Sequence, residues 1–217
     1  MIKVGVVENQ KETTTINILA QLCKSSGKKV SILKDSLYND SYKKDFSFIT
    51  YINELIKNNM DMIIIHLTEE GIKNKWFKDI DFDIIIYSVA RTKEEYDFVH
   101  LDENKMFFTL SQDAVGIINA DDKRLIDFLK RKMTRLITYG FNSTAYITAS
   151  SIQEEELNNR IQCCVQKKLT TFSGKVLEPQ EFSITLPLSQ NHELYSALAA
   201  ITAAMLNDIK IPDKNYS

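Results

Sequence analysis

The feature that most constrains the fold is the order of elements predicted between Lys3 and Leu33. Lys3 to Val7 is a short run of mostly β-branched residues, as expected for a buried strand, and Thr13 to Ser26 carries apolar residues at helical spacing. Gly27 is suited to end that helix, and Val30 to Leu33 has the composition of a second strand. A helix between two buried strands is typical of a parallel α/β sheet.

The loop between the first strand and the first helix has the position of a phosphate-binding loop without its chemistry. In a P-loop, glycines allow backbone N–H groups to surround the phosphates, a lysine neutralises the β- and γ-phosphates, and the next Ser or Thr binds Mg²⁺. Residues 8–12 instead read ENQKE, with carboxylates at Glu8 and Glu12. Each carboxylate about 4 Å from a phosphate oxygen costs roughly 4 kcal/mol at an effective dielectric constant of 20. The sequence therefore predicts a loop that repels polyphosphate.

This stretch resembles the central-domain signature of the Mur ligases, which add amino acids to peptidoglycan precursors using ATP. That signature is close to GVTGTNGKTTT and is followed by a helix and a strand similar to GKKVGLI. Gly5 to Val6 match its start, and Thr13 to Thr15 match its end. Aligned without gaps, its two loop glycines become Glu8 and Lys11, and its phosphate-binding lysine becomes Glu12. Lys11 compensates only in part, because adjacent residues at a helix start point in different directions.

The metal-binding positions of the family are changed as well. Asp61 to Leu67 is a continuous apolar strand, and His66 stands where the family has a glutamate that helps to hold Mg²⁺. A neutral imidazole is a poor ligand for this hard cation, so a structural role for His66 is favoured over metal binding. Lys105 lies near the position of a carbamylated lysine that bridges magnesium ions in the family. With the other ligands lost, an ordinary surface lysine is the favoured interpretation.

The best-preserved part of the resemblance follows. Asp113 to Asp122 (DAVGIINADD) is similar to the family strand that ends in NADD, and Leu136 to Ala149 resembles its VITYGxxxxADxxA segment. The NADD asparagine lies beside adenine in the family, so the resemblance implies a base contact for Asn119, with Asp122 in the same site. The alternative is that Asn119, Asp121 and Asp122 form a turn and the N-cap of the next helix.

The remaining segments complete the predicted fold. Phe46 to Asn59 has a helical apolar face, Glu94 to Leu110 is predicted as a helix, and Lys123 to Lys132 as a short amphipathic one. Tyr146 to Leu186 has strand periodicity, which indicates an antiparallel β-appendage. Leu188 to Met205 resembles the family's LPGxHNVYNALAA helix. The residues predicted for the apolar face of the first of these helices are Phe48, Ile49, Ile52, Leu55 and Ile56.

The expected architecture is therefore α/β, with a mostly parallel P-loop-type sheet flanked by helices and a small antiparallel β-appendage at about residues 146–186. The resemblance runs from Lys3 to about Asn207 and corresponds only to the central ATPase domain. We expect residues 1–217 to form one such domain, with the N- and C-terminal domains of the Mur ligases absent.

Composition excludes several other classes. The net charge of -2 and the absence of a basic patch argue against nucleic-acid binding. The three cysteines have neither zinc spacing nor a disulfide pattern, which predicts reduced thiols. No apolar run approaches 18 residues, so we expect a cytoplasmic protein without a membrane span.

Residues that fill the core stay similar to those of the Mur ligases, whereas residues that contact phosphate, magnesium or adenine are mostly changed. Phosphoryl transfer depends on positioning and charge neutralisation, so their joint loss predicts a catalytically inactive Mur-ligase-like domain. We expect an interaction or regulatory role linked to cell-wall precursor synthesis, with no cofactor. The expected partner is a second copy of the chain, an authentic ligase or another protein.

Two alternatives stay open at this point. In the first, the chain is an ATP-dependent amide ligase module that works with another chain and uses ATP and Mg²⁺. Lys11, Thr13, Thr14 and Asn119 would then bind the nucleotide, and Lys105 would assist the metal. In the second, the chain is a small-ligand sensor whose acidic loop favours a cation.

Overall fold

The computed structural model describes residues 1–8, 13–34, 48–88, 114–130, 133, 135–154, 159–187 and 193–211. The strands in these ranges are β1 (Ile2–Val7), β2 (Val30–Leu33), β3 (Met62–His66), β4 (Ile84–Tyr87), β5 (Val115–Asn119), β6 (Arg135–Gly140), β7 (Ile147–Glu154), β8 (Asn159–Val165), β9 (Leu169–Thr170), β10 (Val176–Leu177) and β11 (Gln180–Leu186). The helices are α1 (Thr14–Ser25), α2 (Phe48–Lys57), α3 (Glu69–Lys73), α4 (Lys123–Leu129) and α5 (Glu193–Leu206).

One nine-stranded sheet organises the domain, in the order β11-β8-β7-β6-β5-β4-β1-β3-β2. Neighbouring strands from β2 across to β7 are parallel, whereas β8 pairs antiparallel with both β7 and β11. The short strands β9 and β10 form a separate antiparallel pair. The predicted parallel sheet with an antiparallel appendage is confirmed, and the appendage extends the main sheet through the pairing of β6 with β7.

The central strands are mostly apolar because both faces of the sheet are covered. Side chains at alternate positions of β1, β3, β4 and β5 pack beneath α1 and α5 on one face. The intervening positions pack against residues of α2, α3 and α4 on the other face. This three-layer arrangement leaves the carboxyl ends of the parallel strands along one edge, where polar residues begin.

Helix α1 ends as its sequence predicts. The N–H of Lys28 donates to the carbonyl of Cys23 at 3.0 Å, and the N–H of Gly27 donates to that of Lys24 at 2.9 Å. Gly27 has a φ of 78°, so this paired arrangement is a Schellman cap with glycine in the left-handed position. Val30 can then enter β2 directly.

The apolar face predicted for α2 is narrower than the sequence suggests. Ile52 and Leu55 are buried, whereas Ile49 and Ile56 are 48% and 51% exposed, and the prediction was wrong for these two residues. At 100° per residue, both exposed isoleucines lie at the margin of the apolar stripe, away from the line that faces the sheet. Phe48 still packs edge-on against Phe77, with ring centroids 5.6 Å apart.

Helix α5 is buried on almost all sides, from Leu194 to Leu206. It lies between α1 and the β4–β7 part of the sheet, and its five alanines allow both neighbours to approach closely. Among the described residues, no helix has the length and hydrophobicity needed to span a membrane. Lys11, Glu12, the predicted helix from Glu94 to Leu110 and Lys105 within it lie outside the described residues.

Candidate functional site

The candidate site lies where the strand order reverses, at the carboxyl ends of β1 and β4. In an open parallel sheet this crevice is the usual position for a ligand. Glu8 directly follows β1, Ser88 directly follows β4, and His66 is the last residue of β3. Because β1 lies between β3 and β4, the sheet brings these residues together.

Glu8 is the charged group at the centre of this edge, and it is only 2% exposed. Its Oε1 atom accepts a hydrogen bond of 2.9 Å from the backbone N–H of Thr15, in the first turn of α1. The hydroxyl of Ser196, on α5, lies 3.5 Å from the same oxygen. The partial positive charge of a helix N-terminus stabilises an anion at this position.

Hydroxyl groups continue this network into the interior. Thr15 Oγ1 lies 2.5 Å from Ser88 Oγ, which lies 3.4 Å from Ser196 Oγ. His66 is buried beside them, and its Nε2 is 3.2 Å from the backbone carbonyl of Glu8, to which an Nε2–H tautomer donates. We refer to Glu8, Thr15, His66, Ser88 and Ser196 as the polar cluster.

The contact of His66 agrees with the structural role favoured from its sequence context, since it anchors the backbone that leads into the loop. Within the described residues, no group of three or more His, Cys, Asp or Glu side chains is arranged to hold a metal ion. The structural role of His66 stays a prediction, and metal binding stays the less favoured alternative.

Thr13 and Lys34 lie beside the polar cluster at the start of α1. Lys34 follows β2, and its Nζ donates to Thr13 Oγ1 at 3.0 Å and to Asn17 Oδ1 at 3.2 Å. Thr14 is the half-buried first residue of α1. The sequence analysis did not identify this contact. The position of Lys34 immediately after a strand, at the same sheet edge as the loop, was the available signal.

Asn119 and Asp122 shape the turn after β5. Asn119 Oδ1 accepts from the N–H of Asp121 at 2.9 Å, and Asp122 Oδ1 accepts from the N–H of Leu125 at 3.1 Å, which caps α4. The structure thus has the turn and N-cap described above as the alternative to a nucleotide contact. A base contact by Asn119 stays a prediction. Gly140 faces this turn, since a Cβ atom there would lie 2.7 Å from Asp121 Oδ2.

Helix α5 links this turn to the polar cluster through two consecutive residues. Tyr195 donates to Asp121 Oδ2 at 3.2 Å, and the next residue, Ser196, contacts Glu8. The Tyr195 ring also packs edge-on against Phe141, with centroids 5.0 Å apart. Burial, and then the charge of Asp121, raise the pKa of Tyr195, so it stays a protonated donor at neutral pH.

Tyr139 supports the cluster from β6. Its hydroxyl donates to the carbonyl of Tyr87 at 2.8 Å, just before Ser88. Burial raises the pKa of Tyr139 far above its ordinary value, and the nearby Glu8 carboxylate adds to the rise. The neutral phenol therefore connects β6 with the end of β4 across the intervening strand β5, beneath the site.

The described residues do not fit a magnesium triphosphate in this conformation. In a P-loop, N–H groups at the helix start face the phosphates, and the hydroxyl after the lysine binds the metal. Here the N–H of Thr15 is bonded to the Glu8 carboxylate, and the hydroxyl of Thr13 is bonded to the Lys34 ammonium. The first-turn N–H of Thr15 and the hydroxyl of Thr13 are thus both engaged by charged side chains of the chain itself.

Comparison with known proteins gives a consistent result. Residues 12–204 match the family model of the Mur ligase middle domain. The chain is 30% identical over 98 residues to UDP-N-acetylmuramate–L-alanine ligase of Hydrogenovibrio crunogenus. This match covers 45% of this chain and 19% of that protein. It is 17% identical over 232 aligned positions to the UDP-N-acetylmuramoyl-L-alanyl-D-glutamate–2,6-diaminopimelate ligase of Bacillus cereus, covering 96% of this chain and 44% of that enzyme.

A solved structure of a UDP-N-acetylmuramoyl-L-alanyl-D-glutamate–2,6-diaminopimelate ligase shares the fold, with a TM-score of 0.68 at 16% identity. The match covers 94% of this chain and 43% of that structure. The chain thus spans less than half the length of each of these three proteins.

Proposed function

Since this chain belongs to the Mur ligase middle-domain family, a family of ATP-dependent ligases, we propose that it is a catalytically inactive member with an interaction or regulatory role. The role is linked to cell-wall precursor synthesis, the process in which the named relatives act. The observation that carries this proposal is the buried carboxylate of Glu8, bonded to the backbone of Thr15 at the start of α1.

This contact opposes nucleotide binding electrostatically. A triphosphate near the N–H of Thr15 would be repelled by the negatively charged carboxylate of Glu8, which already lies at hydrogen-bond distance from that N–H. Repulsion of roughly 4 kcal/mol at about 4 Å, for an effective dielectric constant of 20, corresponds to about a thousandfold loss of affinity. The phosphate-binding lysine of the signature is also replaced, by Glu12, so no attraction from that position offsets the repulsion.

The altered positions also contact one another. Glu8 stands at a loop glycine of the signature, and Ser196 stands at the second asparagine of the LPGxHNVYNALAA pattern that the last helix resembles. Their side chains lie 3.5 Å apart. A serine hydroxyl can donate to the carboxylate. This contact between two changed positions supports a site that was remodelled as a unit.

Isothermal titration calorimetry of the wild-type chain with Mg-ATP tests the proposal. A full-length diaminopimelate-adding ligase is the positive control, and phosphate release is measured in parallel. We expect only heats of dilution at nucleotide concentrations up to about 0.1 mM, because a thousandfold loss relative to micromolar binding gives a Kd of about 1 mM and less than about a tenth of the protein would then be occupied. A micromolar Kd, or phosphate release above the protein-free rate, would overturn the proposal.

One observation favours the alternative of a ligase module with a divergent nucleotide site. Lys34 brings an ammonium group to within 3.0 Å of the Thr13 hydroxyl, so a cation is present beside the loop although the signature lysine is lost. On that hypothesis Lys34→Gln and Lys11→Ala each weaken Mg-ATP binding more than tenfold. The sensor hypothesis has less support, since a carboxylate as buried as Glu8 is closed to a cationic ligand.

The interaction role has its own test. Light scattering coupled to size-exclusion chromatography, at about 5 and 100 μM protein, distinguishes a monomer from a homodimer. Co-purification with the authentic ligases of the same cell tests the second expected partner. If the chain is strictly monomeric and no ligase co-purifies with it, both predicted forms of association are contradicted.

A further inference from the structure

We propose that β11, the strand at one end of the main sheet, is the surface through which two copies of this chain pair into a symmetric dimer. The two β11 strands run antiparallel across a twofold axis at Ser183, so that one sheet continues through both copies. The inference rests on the interaction role proposed above, and it names the surface that serves the homodimeric form of that role.

The backbone of β11 faces outward at every second residue. The N–H of Gln166 donates to the carbonyl of Tyr146 at 2.8 Å, so the even-numbered residues of β8 direct their backbone groups towards β7. The odd-numbered residues of β8 therefore face β11, where they pair with even-numbered residues in an uninterrupted register. The N–H and C=O groups of the odd-numbered residues Glu181, Ser183 and Thr185 point away from the sheet.

This outer edge is open in the part of the chain that the structure describes. Strand β11 comes last in the sheet order, and among the described strands it pairs only with β8. No described residue donates to or accepts from the outward backbone groups of Glu181, Ser183 or Thr185. A row of such groups is a template for pairing with another strand.

The two edges of the sheet differ in their charge. Strand β2, at the opposite edge, has Lys28 and Lys29 before it and Lys34 after it. Lysines at a sheet edge are a common means of preventing edge-to-edge pairing. The seven residues of β11, QEFSITL, include one charged side chain, that of Glu181. Association of two sheets is therefore favoured at β11.

A single register satisfies the backbone of all three outward residues. With Ser183 on the twofold axis, the two Ser183 residues lie opposite each other, and Glu181 of each copy lies opposite Thr185 of the other. Each outward N–H and C=O group then has a partner in the second copy. Pro179 and Pro187 flank the strand, so the ladder ends within it.

The same register pairs apolar residues on the face of the sheet that carries α5. Phe182 of one copy lies opposite Ile184 of the other. Ile184 is buried in the core, whereas Phe182 is only half-buried at its edge. Dimerisation covers the phenyl ring beside an aliphatic neighbour, which is a favourable cross-strand pair.

Charge complementarity on the opposite face indicates a second copy as the occupant. Arg160, on β8, is exposed and lies directly opposite Thr185. In the dimer, Thr185 lies opposite Glu181 of the second copy. The arginine and that glutamate are then on one face, two strand spacings or about 10 Å apart, a gap that their long side chains bridge together.

This ion pair forms only between copies. Within one chain, Glu181 lies opposite Cys164, and Arg160 is further along β8 by about 13 Å. The twofold axis creates the contact twice, once on each side of Ser183. A partner with an unrelated sequence would lack this match of backbone, apolar face and charge.

Charge reversal provides the test, with oligomeric mass measured by size-exclusion chromatography and light scattering. Glu181→Arg alone, or Arg160→Glu alone, places like charges together at both contacts of its own dimer. An equimolar mixture of the two variants forms a mixed dimer in which both contacts join opposite charges. Glu54→Arg, at an exposed position of α2, is the control.

A backbone variant complements the charge variants. Ser183→Pro removes the N–H on the twofold axis, and proline is tolerated in an edge strand where the N–H points to solvent. Circular dichroism and the Tm verify that each variant is folded. If Ser183→Pro does not fold, the charge variants decide the result, since Arg160 and Glu181 are both exposed.

We expect the wild type and Glu54→Arg to be mainly monomeric at about 5 μM and mainly dimeric at about 100 μM, because an interface built on one strand pair is small. Each single reversal, and Ser183→Pro, should raise the Kd of the dimer at least about tenfold. The equimolar mixture should return to within about threefold of the wild type, since its contacts are complementary again.

Three results overturn the inference: a wild type that is monomeric at 100 μM, a dimer that none of these variants weakens, and a mixture that fails to dimerise where the wild type does. A dimer that resists every variant uses another surface and leaves the proposed interaction role in place. A monomeric wild type leaves that role to an authentic ligase. Mg-ATP binding in calorimetry removes the proposed inactivity, whatever the oligomeric mass.

Discussion

Gly5 offers a sharp test of whether residues shared with the Mur ligases were retained for packing. It lies in the middle of β1, on the face of the sheet that carries Val7. A Cβ atom at this position would lie 2.6 Å from Leu67 Cδ1 and 3.1 Å from Phe82 Cε1. Carbon atoms pack at about 3.5–4.0 Å, so the Leu67 side chain would have to move by roughly 1 Å.

The cost of Gly5→Ala follows from that collision. Overpacking by one methyl group costs about 1–3 kcal/mol, and replacing glycine in a strand recovers about 0.5–1 kcal/mol of chain entropy. We expect a net loss of about 1–2 kcal/mol and a fall in Tm of roughly 2–8 °C. Urea unfolding reports it through the single tryptophan, Trp76, which packs against the same layer.

A double-mutant cycle isolates the contact. Leu67→Ala alone should cost about 2–5 kcal/mol, and it removes the atom that Gly5→Ala meets. In that background Gly5→Ala should be neutral or stabilising, which gives a coupling of at least about 1 kcal/mol. Leu22→Ala, in the layer on the opposite face of the sheet, is the control and should combine additively with Gly5→Ala. Additivity with Leu67→Ala within about 0.5 kcal/mol would refute the packing explanation.

Three further outcomes follow from the structure. Tyr139→Phe should lower the free energy of unfolding in urea by about 1–3 kcal/mol, because it leaves the buried carbonyl of Tyr87 without its 2.8 Å hydrogen bond. An unchanged urea midpoint would contradict this prediction. Gly27→Ala should lower the free energy of unfolding by about 1 kcal/mol through backbone strain alone, because the φ of Gly27 is 78° and no atom lies within 4 Å of the new Cβ. A decrease of more than about 3 kcal/mol would show that a steric clash contributes as well. Burial raises the pKa of Cys23 and Cys163 from 9.0 to about 12, so iodoacetamide at pH 8 should label neither in the folded protein and both in urea, as read by mass spectrometry. Their neutral thiols favour the folded state fully below pH 9, and this contribution should be lost as the pH rises from 9 towards about 12.

Most of the fold was predictable because local pattern and burial agree in this chain. Continuous apolar runs such as Asp61 to Leu67 are typical of strands covered on both faces, and the structure has β3 there, fully buried. Gly27 marked the end of α1 for a local reason, its left-handed conformation. The apolar face of α2 was overestimated because periodicity gives the centre of a stripe and not its width, which depends on what the helix packs against.

The candidate site was predictable only in part. Sequence reasoning singled out Glu8, Thr13, His66 and Asn119, since each stands at a position that the family uses for chemistry. It could not predict that Glu8 turns inward and bonds to the helix start, nor that Lys34 reaches Thr13. Side-chain direction depends on the space that neighbouring elements leave.

By itself, the sequence determined the kind of elements, their order, and the charge reversal of the loop, because these depend on residues that are close along the chain. Only the tertiary structure decided which polar groups meet. Glu8 and Ser196 are 188 positions apart, and their contact exists because the sheet brings the end of β1 beneath the start of α5. A contact over that separation depends on strand order and helix packing, so residue spacing could not reveal it.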